Sequence, residues 1–396
     1  MRYKPFTYMQ TGVSGSGSLL NLVITQDFNG GISNLDYTGS LIGFIDVTGS
    51  RIQDLEKVSN NSYVVGGNFS TIGGIARSKI AKIINNNVDT SGGWGGAGFI
   101  EPIGVQSAVQ VVLKQRNTGK FIVKASVGGG TYNGTTVSEY FRLNSDGTYD
   151  PTYGVSSSVA DVLNSIILDS EDNLWIGGTP NSLTINGVAY TKGIAKFDPD
   201  GNPISLISGS GFSPTNSSIT SLSNDGTSIF VGGSFTSYNG SSVGRGIIKL
   251  NSDGSVDSSF NVGTGMSGSL VQTNGLVKHL PKINRVALCS PGSMVFYSGS
   301  AVNDFALIKP DGTLDTNFYI PTGSTSYEAA KRDWIDNDNQ GNFYLCNVNS
   351  FDGVNYNTTS SQSFIKLDST GSVAIFDYNN IKTGLSQEVF CLQVWG

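Results

Sequence analysis

Reactive side chains are scarce in this chain. Its 396 residues include one histidine and three cysteines, and charged residues make up only 14%. A Ser-His-Asp hydrolase would have to use His279 as its base, and a zinc site built on several histidines is excluded. Lys and Arg nowhere cluster, and the net charge is -6, so the basic stripe that phosphate backbones require is missing and no nucleic-acid partner is expected. No apolar run approaches the roughly 18 to 20 residues of a membrane helix, and no membrane association is expected. The opening Met1-Arg-Tyr-Lys-Pro-Phe-Thr-Tyr8 lacks the apolar core of a secretory signal, which leaves retention in the cell or departure inside a particle. Cys289, Cys346 and Cys391 are odd in number, far apart and set in apolar strand-like contexts, and they read as buried free thiols.

Glycine, in contrast, is abundant, at 52 residues. Together with Asn, Asp and Ser it supplies the positive φ values that short strands and tight turns demand. One phrase recurs, an apolar strand followed by an Asp-Gly turn. It reads Phe141-Arg-Leu-Asn-Ser-Asp-Gly147, Ile194-Ala-Lys-Phe-Asp-Pro-Asp-Gly201, Ile247-Ile-Lys-Leu-Asn-Ser-Asp-Gly254, Ala306-Leu-Ile-Lys-Pro-Asp-Gly312 and Phe364-Ile-Lys-Leu-Asp-Ser-Thr-Gly371. The turn glycines are 54, 53, 58 and 59 residues apart, the signature of units that bury their apolar faces only by stacking on neighbours.

A second landmark, an apolar strand often closing in Gly-Gly, appears at Tyr63-Val-Val-Gly-Gly67, Leu174-Trp-Ile-Gly-Gly178 and Ile229-Phe-Val-Gly-Gly233. Degenerate forms surround Val23, Ile122, Val286 and Tyr344, which brings the count to seven units. Glycine inside a strand marks a bulge or a close backbone approach. A further strand precedes six of the markers, at 52–58, 109–114, 162–168, 219–222, 276–280 and 329–335. The first unit lacks one, and Glu388-Val-Phe-Cys-Leu-Gln-Val394 has the pattern to supply it. The expected fold is therefore all-β, a seven-bladed β-propeller of 53–58-residue repeats over 19–396, closed by pairing of the C-terminal strand with the first blade. Each unit is expected to hold three or four antiparallel strands and one long loop, such as 71–78 or 236–244.

The stretch Val231-Gly-Gly-Ser-Phe-Thr-Ser-Tyr-Asn-Gly240 followed by Ile247-Ile-Lys-Leu-Asn-Ser-Asp-Gly-Ser-Val-Asp-Ser-Ser-Phe260 resembles the delta-60 repeat propeller family, and the resemblance covers roughly 60–375. It implies a scaffold fold and no common activity. The first unit departs most, having neither Gly-Gly nor Asp-Gly.

Weighed for chemistry, His279 reads as a partly exposed strand residue. Gly240-Ser-Ser242-Val-Gly244 spells a nucleophile elbow and Gly93-Trp-Gly95-Gly-Ala-Gly98 a dinucleotide fingerprint, but neither has the strand-to-helix context that gives it meaning. Asp336-Asn-Asp338-Asn-Gln-Gly341 and Asp198-Pro-Asp200-Gly201 carry calcium-type oxygens, yet both fall where hairpin turns are needed and read first as turn residues. A carboxylate pair for glycoside cleavage is singled out nowhere. No catalytic residue, metal ligand or cofactor is assigned.

Residues 1–18 lie outside the repeats and combine Tyr3, Phe6 and Tyr8 with a Gly/Ser spacer. This composition suits an arm docking on another protein. The expected function is a non-enzymatic structural or interaction protein, a bacteriophage virion component of the tail, neck or capsid surface whose partners are other subunits. The alternatives are a glycan-binding or adhesive module at a cell surface and a propeller glycoside hydrolase or lyase.

Overall fold

A computed structural model describes residues 21–26, 31–35, 41–59, 61–159, 165–180, 183–206, 208–214, 217–267, 276–289, 296–302, 305–318, 326–327, 335–346, 348–351, 354–355, 364–372 and 389–395. They are almost wholly β; the one helical turn among them is 3-10, at Gly92–Gly95.

One pattern of pairing recurs. In the unit around residue 120, strand Val109–Lys114 pairs antiparallel with Phe121–Ala125, which pairs with Tyr140–Leu143, which pairs with Tyr149–Asp150. The next units repeat this as Ser165–Leu168, Leu174–Gly177, Ile194–Phe197 and Pro203–Ile204, then as Ile219–Asn224, Ser228–Gly233 and Ile247–Asn251. Two more follow, Leu276–Leu280 with Arg285–Cys289 and Phe305–Ile308, and Ile335–Asn337 with Phe343–Cys346 and Phe364–Leu367. Earlier in the chain, Leu41–Ser59 and Ser62–Ile72 pair along most of their length, with Ile80–Ile84 beyond them. The C-terminal strand Val389–Trp395 pairs antiparallel with Asn21–Gln26, Leu22 facing Val394 and Ile24 facing Leu392.

The second strand of each unit is buried on both faces, as in Phe121–Ala125 and Ser228–Gly233, which explains its unbroken apolar run. Its glycines make room for the next unit. A Cβ on Gly66 would lie 2.5 Å from the Val109 side chain, and one on Gly177 would lie 2.6 Å from Ile219. The core accordingly lies between units. One cluster joins Val64 and Ile80 to Val109, Phe121 and Phe141, and another joins Phe230 and Ile247 to Val277, Val286 and Leu288.

The segments expected to be long loops form a second small sheet in five units, while in 71–78 Ile75–Ala76 pairs back onto Ser62–Ile72 in the main sheet. Thr131–Tyr132 and Thr135–Thr136 make a hairpin that pairs with Phe99–Ile100, and Ser237–Tyr238 and Ser241–Ser242 make one that pairs with Phe212–Ser213. The hairpins turn on Asn133-Gly134 and Asn239-Gly240, whose four φ values are all positive, the signature of a tight two-residue turn. Each then fastens to the Asp-Gly turn of its own unit. Tyr132, Tyr238 and Tyr297 donate their hydroxyls to the carbonyls of Gly147, Gly254 and Gly312 at 2.8, 2.8 and 2.6 Å.

Successive units also meet along their first strands. One edge of each first strand pairs within its unit, leaving every second N–H on the other edge without a ladder partner. Short polar side chains of the preceding unit fill that gap. Asp54 Oδ2 accepts the Val112 N–H at 2.6 Å and Ser165 Oγ accepts the Leu222 N–H at 2.9 Å. Ser221 Oγ accepts the Val277 N–H at 3.2 Å while donating to the Val277 carbonyl at 2.9 Å, and Ser223 Oγ accepts the His279 N–H at 2.8 Å.

Replacing Ser221 with Ala removes both bonds to Val277 and leaves a buried amide unpaired, at a cost of about 1–3 kcal/mol. Urea unfolding should show that loss for Ser221→Ala, while Ser242→Ala, on an exposed hairpin strand, should stay within about 0.5 kcal/mol of wild type. Equal midpoints for the two variants would contradict the seam.

Candidate functional site

Where the first strands of several units end, they enclose a cavity of about 470 Å³. Glu56, Lys114, Arg116, Asn224, Asp225, Lys278, His279 and Asp336 line it, together with Leu113, Ile167, Leu168 and Leu222. Residues from six units thus share one mouth, because each reaches the same point of its repeat there.

Several of these polar groups also hold the structure together, between units or within one. Glu56 Oε1 accepts the Lys114 N–H at 3.2 Å, Lys114 Nζ donates to the Val58 carbonyl at 2.8 Å, and Asn224 Nδ2 donates to the Leu168 carbonyl at 2.7 Å. Asp225 pairs with Lys249 at 2.9 Å and accepts the N–H groups of Thr227 and Ser228. Lys249 also reaches Asp257 at 3.1 Å and lies 5.3 Å from the centre of the Phe230 ring. Burial works against the Asp225 charge, but these donors prevail and hold its pKa at about 2. Lys57 is partly buried, and its pKa is lowered first by that burial and then by the like charge of Lys282, against the opposing pull of Asp336.

His279 is buried, with 8% of its surface exposed, where a partly exposed strand residue was expected. Its place in the seam explains the difference. The imidazole stacks on Phe230 of the preceding unit at 5.7 Å, and Nε2 meets Asn284 Oδ1 at 3.3 Å. Burial lowers its pKa, outweighing the Asn284 hydrogen bond and the Asp225 charge. The ring's hydrogen-bond partner is thus an amide, and the nearby Ser223 hydroxyl is engaged by the His279 backbone.

The other sequence candidates are dispersed. Ser242 is exposed on its hairpin, and the glycines around Trp94 form the helical turn, where a Cβ on Gly93 would lie 2.0 Å from the Gly147 carbonyl. Asp198 Oδ1 accepts the N–H groups of Asp200 and Asn202, Asp338 Oδ1 accepts those of Gln340 and Asn342, and Asp336 Oδ1 accepts that of Asn337, so these carboxylates serve their turns. Among the described residues no three His, Cys, Asp or Glu side chains converge as metal ligands. Cys289 is a buried free thiol; the Cys346 and Cys391 side chains and all of Tyr3, Phe6 and Tyr8 lie outside the described residues. The mouth itself escaped the sequence reading. Its available signal was the polar residue at the end of each first strand, recurring with the period of the repeat.

Stacked antiparallel sheets whose first strands lie side by side define an all-β, propeller-like protein. Residues 228–260 match the family described as a β-propeller domain of unknown function, DUF5122. No curated protein matches the chain in sequence. Solved structures similar to it include a protein of unknown function from Bacteroides caccae, at 8% identity and a TM-score of 0.40, covering 95% of this chain and 99% of that one. AztD of Citrobacter koseri is similar at 10% identity and a TM-score of 0.43, with 96% and 98% covered. The WD40 β-propeller domain of Doa1 is similar at 11% identity and a TM-score of 0.37, with 84% and 94% covered.

Acid should weaken the fold in two windows. The His279 pKa lies below its ordinary 6.5, so its contribution is complete above that value and falls away as the pH drops below it. Asp225, lowered from 3.8 to about 2, contributes above 3.8 and loses that contribution as the pH falls toward 2. Urea midpoints should fall from about pH 7.5 to about 5, and His279→Gln should flatten that slope. Because the chain has one histidine, NMR can follow its titration directly, and a midpoint at or above 6.5 would contradict the burial described.

Proposed function

We propose that the chain is a non-enzymatic interaction scaffold, a closed ring of seven blades that presents loop surfaces to other protein subunits. The carrying observation is that its lone histidine and many of its charged side chains are committed to structural bonds. The lone imidazole binds an amide, and the turn aspartates are occupied by backbone N–H groups. Buried cations such as Arg142 are bound by Asp150 and Asp200.

Ring closure rests on contacts between first strands. Leu41–Ser59 touches Val109–Lys114, which touches Ser165–Leu168, and the contacts continue through Ile219–Asn224, Leu276–Leu280 and Ile335–Asn337 to Val389–Trp395, which touches Leu41–Ser59 again. Deleting residues 388–396 would then expose a strand edge and remove contacts on both sides of the gap. The truncated protein should aggregate or melt at lower temperature, and a melting curve equal to that of the full chain would refute closure.

The partner-binding arm is assigned to Tyr3, Phe6 and Tyr8, and a bacteriophage particle is the proposed assembly. Low charge and a rigid repetitive framework support such a role, since aromatic side chains in interface cores carry much of the binding energy. Removing residues 1–10 should leave thermal stability unchanged while abolishing co-sedimentation with purified particles. Lost stability with normal co-sedimentation would make the segment a structural strand and move the partner surface to the loops. A second reading, a glycan-binding surface module, is favoured by the cavity at the mouth.

A further inference from the structure

The charge of the mouth runs against that of the chain. Although the whole protein carries -6, Lys114, Arg116 and Lys278 line the cavity, and Lys57 and Lys282 stand beside its Asp336. The acids that line the cavity are Glu56, Asp225 and Asp336. Asp225 is already paired with Lys249, which comes from outside the group. With Asp225 so neutralised, Lys114, Arg116 and Lys278 face Glu56 and Asp336 across the cavity. The Arg116 side chain is exposed at the rim, with no acidic side chain pairing with its guanidinium among the described residues. Arginine offers a planar fork of donors matched to carboxylate and phosphate oxygens.

We propose that this mouth binds a small ligand carrying an oxyanion, with Arg116 as the gripping residue and the surrounding lysines as its electrostatic field. A cavity of about 470 Å³ accommodates a molecule the size of a sugar acid or sugar phosphate. Leu113, Ile167, Leu168 and Leu222 supply apolar wall against which the body of such a molecule packs. Carboxylate and phosphate share the recognising chemistry. The inference depends on the cavity and its charges alone, so it stands or falls separately from the scaffold role.

Isothermal titration of the full chain at low salt, with galacturonate, glucose 6-phosphate, inorganic phosphate and neutral galactose in separate arms, tests it. At least one anion should bind, galactose should bind at least about tenfold more weakly, and added salt should weaken the anion. The stronger of the carboxylate and phosphate arms identifies the group preferred. Arg116→Gln should weaken binding by about tenfold, the loss of a charge-assisted hydrogen bond, with an unchanged melting temperature because the side chain is exposed. Three results would each overturn the proposal: no heat with any anion, galactose binding as well as the anions, or wild-type affinity in Arg116→Gln.

Discussion

The rest of the structure depends on how the free edge of each first strand is satisfied. Within a unit, antiparallel ladders use one edge of that strand. The other edge faces the neighbouring unit, where a buried N–H without a partner would cost free energy comparable to a lost hydrogen bond. Asp54, Ser165, Ser221 and Ser223 answer this with short side chains that reach across to Val112, Leu222, Val277 and His279. These bonds set the register of one unit on the next. The glycines of the second strands then let the apolar faces close over the seam, as Gly66 does for Val109.

A second economy governs the charged residues. Asp146, Asp253, Asp311 and Asp368 each accept the N–H two residues on, together with the hydroxyl of the same residue. The lysine at the centre of several third strands lies over the aromatic ring directly opposite it, Lys196 over Trp175 at 4.9 Å and Lys249 over Phe230 at 5.3 Å. Acids and cations are thus consumed in turns and cross-strand pairs. The mouth differs, because there the ends of several strands gather Lys114, Arg116 and Lys278 around one cavity.

Much of this was legible in the sequence. Strands 109–114 and 276–280 were read to the residue, and the glycine of each Asp-Gly turn adopts positive φ, Gly147 at 82° and Gly254 at 86°. The small second sheets were missed because strands of two residues are too short to show periodicity, although Tyr238-Asn-Gly240 carried the turn signal. His279 was read as partly exposed because the face its alternation selects is covered by Phe230, 49 positions earlier in the chain. The mouth went unread for the same reason, since Glu56 and Asp336 meet only through the stacking of units. The Tyr3, Phe6 and Tyr8 arm, and most of the strand expected at 329–335, fall outside the described residues.

Native-state hydrogen exchange on the amides of Val112, Leu222, Val277 and His279 tests the seam most directly. These N–H groups donate to side chains of the preceding unit, so their protection reports on those bonds. If those bonds join the units, all four should exchange as slowly as the ladder amides of Phe121–Ala125 and Ser228–Gly233, through opening of the whole structure. Exchange at the rate of exposed turn amides, with the ladders still protected, would show that the units stack without the seam and would contradict the account.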